Sequence, residues 1–123
     1  MKLSNTIYYL GPALIMTIIF LLSHQPRVMD GLPPITGLDK LLHFAAYFVL
    51  AMSWIIAFSK NNISNLNLKT GILSLLYAFS DEFHQTFVPT RAFEVLDLVA
   101  DGVGIFLALK FSHLVQRKLQ AQV

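Results

Sequence analysis

Long uncharged runs alternate with short polar segments along this chain. The first run extends from Thr6 to Ser23, eighteen residues without a charge, and the second from Leu41 to Phe58, again eighteen. A third begins near Gly71, meets Asp81 and Glu82, and continues to Val88. A fourth runs from about Val95 to Val115, with Asp97 and Asp101 near its start and Lys110 near its end. A helix needs about 20 mostly apolar residues to cross the hydrocarbon of a bilayer. The pattern predicts an all-α, polytopic membrane protein: one domain over residues 1–123, with four transmembrane helices at about 6–23, 41–58, 71–88 and 95–115. Pro12 falls in the early turns of the first helix, where a missing N–H costs little.

The segments between the runs are short. Residues 26–38 hold Gly31, Pro33, Pro34 and Gly37, which is turn chemistry. Residues 59–69 are polar and rich in Asn, and residues 88–94 form a tight connection with Pro89. A signal peptide is the competing reading of the first run. That run is longer than a typical signal core, and Ser23-His24-Gln25-Pro26 is not a small-x-small cleavage site, so a retained helix is expected.

Composition supports the membrane reading. The chain is 55% hydrophobic and 13% charged, about half the charge of an average soluble domain. A soluble domain of this size has too much surface to hide so many apolar side chains. The net charge of +2 is mild and the cations are dispersed, so no nucleic-acid partner is expected. Without cysteine there is no disulfide, zinc–thiolate site or thiol nucleophile.

Charge also orients the bundle. Four spans place both termini on one side, with Lys2, Lys60, Lys69, Lys110, Arg117 and Lys118. The other side receives Arg27, Lys40 and Arg91. Cytoplasmic loops carry the excess of Lys and Arg, so both termini are expected to be cytoplasmic. Asp30, Asp39, Asp81, Glu82, Glu94, Asp97 and Asp101 then all fall toward the outer side.

Helical spacing sharpens that grouping. Asp39, His43 and Tyr47 repeat every four residues and share one face of the second helix. Asp81 and Gln85 do the same on the third, and Asp97 and Asp101 on the fourth. Charges within a span normally face the bundle interior, so a polar funnel opening outward is expected. Taken singly, Asp39 and Asp97 read as first-turn acids favoured by the helix dipole, and Lys40 as a snorkelling rim residue. Asp81 and Glu82 lie where the dipole repels anions and need cations or a proton; Arg91, Lys40 and His43 are the available partners, and Arg91 is the expected one. Gly102, Gly104 and Ala108 read as small residues permitting close helix packing. His24 and His113 are expected to be solvated, and the aromatic residues to be core, lipid-facing or interfacial.

Asp39-Lys40-Leu41-Leu42-His43-Phe44-Ala45-Ala46-Tyr47 resembles the D-K-x-x-H-x-x-x-Y signature of the VanZ-like family. Asp81-Glu82-Phe83-His84-Gln85 resembles its D-E-x-x-Q signature. Arg91, Asp97 and Asp101-Gly102-x-Gly104 resemble its R…D…N-x-x-G segment, and Ser23-x-Gln25-Pro26 its polar end of the first helix. The likeness runs from Ser23 to Gly104 in the right order. Two positions depart from it. Asp101 stands where the family often has Asn, and an amide there would serve for hydrogen bonding. Thr90 stands where the family often has Gly, implying that the turn before Arg91 needs no positive φ here. The resemblance implies a small, multi-pass protein of the bacterial inner membrane. The family's namesake is associated with low-level teicoplanin resistance.

The leading functional reading is an envelope protein that binds an anionic, lipid-linked or lipophilic ligand in a polar pocket at the outer face. Its site would comprise Asp39, Lys40, His43, Tyr47, Asp81, Glu82, Gln85, Arg91, Asp97 and Asp101, with Lys40 and Arg91 on the anionic group. An intramembrane enzyme is the alternative, with His43, Asp81 and Glu82 as candidate acid–base groups. A transporter or structural subunit is the third reading, and a homo-oligomer fits either. No cofactor is expected. Asp81, Glu82, Asp97, Asp101, His43 and His84 could instead hold a divalent metal, but spacing weakens that option and no metal is expected: the chain has no H-E-x-x-H, and adjacent Asp81 and Glu82 point in different directions on a helix.

Overall fold

The computed structural model describes residues 3–24 and 36–121. Among them every regular element is helical. A short α1 (Leu3–Thr6) passes through a 3-10 turn (Ile7–Tyr9) into α2 (Leu10–Ser23). Then come α3 (Thr36–Lys60), α4 (Leu66–Gln85), α5 (Val95–Lys110) and α6 (Ser112–Ala121). Gln25, Pro26, Arg27, Asp30, Gly31, Pro33 and Pro34 lie outside the described residues.

The boundaries move for physical reasons. Pro12 has no N–H to offer the Tyr8 carbonyl, and Tyr8 is the centre of the 3-10 turn, where the helix tightens. The third helix starts at Leu66, before its apolar run, and stops at Gln85 rather than Val88. Asn62 (φ 54°) and Asn65 (φ 53°) make the turn ahead of it, since Asn enters the left-handed region more readily than most residues. The fourth run is two helices, α5 and α6, bent by 42° across Phe111. Thr90 also sits in the left-handed region, at φ 68°. The turn before Arg91 therefore does require a positive φ, contrary to the expectation from Thr90 itself.

Two segments, Ser4–Ser23 and Leu38–Lys60, are long and apolar enough to cross a membrane; counting the bent pair α5–α6 as one span gives three. α3 is the central element. Its Tyr47, Leu50, Ala51 and Ile55 form a core with Ile19 of α2, Ala78 of α4, and Ile105 and Ala108 of α5. The closest approach is between α3 and α5. A Cβ on Gly104 would collide with the Phe44 carbonyl oxygen and crowd the Phe48 amide. Gly102 plays no such part: a Cβ there meets nothing within 4 Å. At the opposite end from the loop after α4, Asn5 Nδ2 donates to the Lys60 carbonyl at 2.9 Å and Asn61 Nδ2 to the Asn5 carbonyl at 3.0 Å. These two bonds close the N-terminal helix onto the end of α3.

The outward surface is apolar along the bundle. Leu68, Ile72, Leu75, Leu76, Phe79 and Phe83 of α4 are exposed, as are Val95, Leu96, Val99, Val103 and Phe106 of α5.

Candidate functional site

Helix direction assembles the site. α3 begins, α4 ends and α5 begins at the same end of the bundle. Asp39, Lys40 and His43 of α3, Asp81, Glu82 and Gln85 of α4, and Asp97 and Asp101 of α5 therefore share one level. Six of the seven acidic side chains in the chain gather here; the seventh is Asp30. Asp81, Glu82, Gln85, Asp97 and Asp101 are buried.

Lys40 organises the outer part of this cup. Its Nζ lies 3.2 Å from Asp39 Oδ2, 2.6 Å from Glu94 Oε2 and 2.5 Å from Asp97 Oδ1. It is thus turned into the cluster, not snorkelling to a rim. The price of leaving Asp97 unpaired at zero exposure would be several kcal/mol, which explains why a lysine is drawn inward. Glu94 belongs to the site although sequence spacing did not single it out. It precedes α5 by one residue, so no helical repeat connects it to Asp97.

His43 organises the inner part. Its Nδ1 lies 2.9 Å from Asp101 Oδ1 and 4.0 Å from Glu82 Oε1. Its Nε2 faces Asp97 Oδ2 at 3.6 Å and Asp39 Oδ1 at 4.0 Å. One turn deeper, the Tyr47 hydroxyl donates to Asp81 Oδ2 at 3.2 Å. Glu82 Oε2 accepts from the Glu94 backbone N–H at 3.2 Å, tying the end of α4 to the start of α5. The groups facing Asp81 and Glu82 are therefore the Tyr47 and Ser23 hydroxyls, His43 and a backbone amide. The expected ion pair of either carboxylate with Arg91 is absent among the described residues, because the turn carries Arg91 to the α2–α3 side.

Arg91 instead helps to line a cavity of about 690 Å³ between α2 and α3. One end of that cavity carries Asp39, His43, Tyr47 and Arg91. The remainder is apolar, from Ile15, Ile18 and Leu22 on one wall to Leu42, Ala45 and Val49 on the other. The cavity is thus amphipathic along its length and shares His43 with the carboxylate cup. Beside it His24 is not simply solvated. Its ring is stacked on His84 at 5.3 Å between centroids, with Phe20 stacked on His84 at 4.8 Å.

Among the described residues, three buried carboxylate oxygens accept no hydrogen bond: Glu82 Oε1, Asp97 Oδ2 and Asp101 Oδ2. Among the described residues, two groups of side chains converge closely enough to share a cation, namely His43 with Glu82 and Asp101, and His43 with Asp39 and Asp97. The spacing argument against metal does not reach these groups, because their members come from different helices.

A family model described as VanZ/LLP1 matches residues 5–116. An uncharacterized protein of Schizosaccharomyces pombe is 28% identical over 87 residues, covering 69% of this chain and 52% of that protein. The chain thus spans about half the length of this curated relative. No solved structure matches.

Proposed function

The chain belongs to the VanZ/LLP1 family, and from that premise we propose that it is a multi-pass membrane protein that binds an amphiphile with an anionic head group. The cavity between α2 and α3 carries this reading. Its apolar walls suit an acyl or polyprenyl chain, and Arg91 at its polar end suits a phosphate or carboxylate. Arg91 lines the polar end of the cavity, whereas Lys40 is turned into the carboxylate cup, so the head group meets Arg91. The carboxylate cup behind His43 holds that residue in place and disfavours head groups that present further negative charge.

All four long helices span the bilayer in this account. The exposed apolar stripe of α4 supports its inclusion, because Leu68, Ile72, Leu75, Phe79 and Phe83 run nearly its whole length. Twenty residues of helix measure about 30 Å, the thickness of the hydrocarbon. The Lys and Arg distribution then puts both termini in the cytoplasm and the polar end of the cavity at the outer leaflet.

Native mass spectrometry of the purified chain tests the reading. Anionic amphiphiles are expected to co-purify with the wild-type chain, and Arg91→Gln is expected to lose the preference for anionic over zwitterionic head groups. Equal retention of both classes by the wild-type chain contradicts it.

A further inference from the structure

We propose that His43, Glu82 and Asp101 hold one divalent metal cation at the inner end of the carboxylate cup. The cation site goes beyond the amphiphile reading and stands without it.

The donor positions come first. His43 Nδ1 lies 2.9 Å from Asp101 Oδ1 and 4.0 Å from Glu82 Oε1. One donor atom from each of the three residues lies within 4.8 Å of the others. Around a cation with bonds of about 2.1 Å, adjacent ligands of an octahedron stand about 3.0 Å apart and opposite ones about 4.2 Å apart. The observed separations fall at both of these values. The three donors belong to α3, α4 and α5, so a cation would tie together the helices that build the site.

Unused acceptors are the second, independent observation. Glu82 and Asp101 are fully buried, yet Glu82 Oε1 and Asp101 Oδ2 accept no hydrogen bond. Leaving such groups unpaired costs more than a buried polar group normally tolerates. Glu82 Oε1 is aimed at His43, the centre of the cluster. Two carboxylates and a neutral imidazole carry a charge of −2, which one divalent cation neutralises. Lys40 does not perform this task, since its three carboxylate partners are Asp39, Glu94 and Asp97.

The surroundings also suit a ligating histidine. A metal-bound imidazole usually directs its other N–H at a carboxylate, which fixes the ring and its tautomer. His43 Nε2 faces Asp97 Oδ2 at 3.6 Å, and that oxygen accepts no hydrogen bond from any other described residue. Asp97 is in turn held by Lys40. One imidazole with two hard carboxylates fits Mn²⁺ or Zn²⁺ better than a soft, thiolate-seeking ion. In the bound form the ring keeps its proton on Nε2, toward Asp97, and gives the Nδ1 lone pair to the metal; an imidazolium releases its Nδ1 proton to solvent on binding, and a neutral ring needs only the Nε2–H tautomer.

The experiment uses the full chain in detergent micelles, stripped on a chelating resin and titrated with Mn²⁺ while paramagnetic resonance counts the free ion. One Mn²⁺ per chain is expected, with nitrogen coupling from a single coordinated imidazole. Glu82→Gln and Asp101→Asn should each weaken binding by more than about tenfold. Ala45→Trp, which fills the apolar cavity, should leave Mn²⁺ binding unchanged while abolishing amphiphile retention, so the two readings fail separately. A variant carrying His24→Gln, His84→Gln and His113→Gln must keep the nitrogen coupling even if the carboxylate variants do not fold. Failure of the wild-type chain to bind Mn²⁺ or Zn²⁺, or loss of the coupling in that triple variant, overturns the proposal.

Discussion

His43 Nδ1 lies 2.9 Å from Asp101 Oδ1, although 58 residues separate them in the chain. The contact exists because Gly104, one turn beyond Asp101, lets α5 press against the backbone of α3 at Phe44. Helix packing and site geometry are therefore the same fact seen at two positions.

The two glycines of α5 should behave oppositely. Gly104→Ala forces its Cβ onto the Phe44 carbonyl and separates α3 from α5, at a cost of about 1–3 kcal/mol. Gly102→Ala meets open space and should be neutral or stabilising by up to about 1 kcal/mol. Thermal unfolding of both variants in detergent checks this. Equal destabilisation would show that α3 and α5 do not approach at Gly104.

Lys40→Met should be among the most damaging substitutions in the chain. It removes the ammonium that Asp39, Glu94 and Asp97 share, and leaves the fully buried Asp97 uncompensated. Losing one partner of a buried ion pair costs about 3–5 kcal/mol. Because Lys40 is partly exposed, about 3 kcal/mol is expected. Adding Asp97→Asn to that variant should recover part of the loss. A double variant as unstable as Lys40→Met would show that Asp97 is not the group left stranded.

Thr90 carries a backbone penalty. A β-branched residue at φ 68° is costly, by about 1–2 kcal/mol. Thr90→Gly should therefore raise the unfolding temperature and leave ligand retention intact. A lower unfolding temperature would mean that the threonine side chain contributes more than its conformation costs.

Much of this was legible from spacing, and the rest was not for identifiable reasons. The i, i+4 repeats of Asp39, His43 and Tyr47, and of Asp97 and Asp101, place those residues on one face each, and the structure joins these faces. Apolar-run length located the interiors of the helices but not their ends, because polar turns such as Thr36–Lys40 and Leu66–Thr70 are helical too. Glu94 groups with the outer acids by topology, but no spacing ties it to the site, because it lies outside any helix and acts through Lys40, 54 residues away. The cavity between α2 and α3 leaves no signal in either helix alone, since both of its walls are as apolar as lipid-facing surface. Arg91 was expected beside Asp81 or Glu82 on sequence proximity, and the left-handed turn at Thr90 sends it elsewhere.

Topology is open to a clean test, since the chain has no cysteine. Single substitutions Ser64→Cys, Thr86→Cys and Gln120→Cys fall at exposed positions. Positions 64 and 120 should react with an impermeant thiol reagent only after the cytoplasmic side is opened, and position 86 without it. Reaction of positions 64 and 86 from the same side would remove α4 from the membrane-crossing set.

The central claim, that one amphiphile sits between α2 and α3 with its head group at Arg91, is tested most directly by photo-crosslinking in native membranes. A photoreactive residue at position 45, inside the cavity, should capture a discrete amphiphile, and Arg91→Gln should abolish that adduct. The same residue at position 75, on the exposed apolar stripe of α4, should label bulk lipid regardless of Arg91. Identical, Arg91-independent adducts at both positions would contradict the account, since position 45 would then be touching nothing but ordinary bilayer.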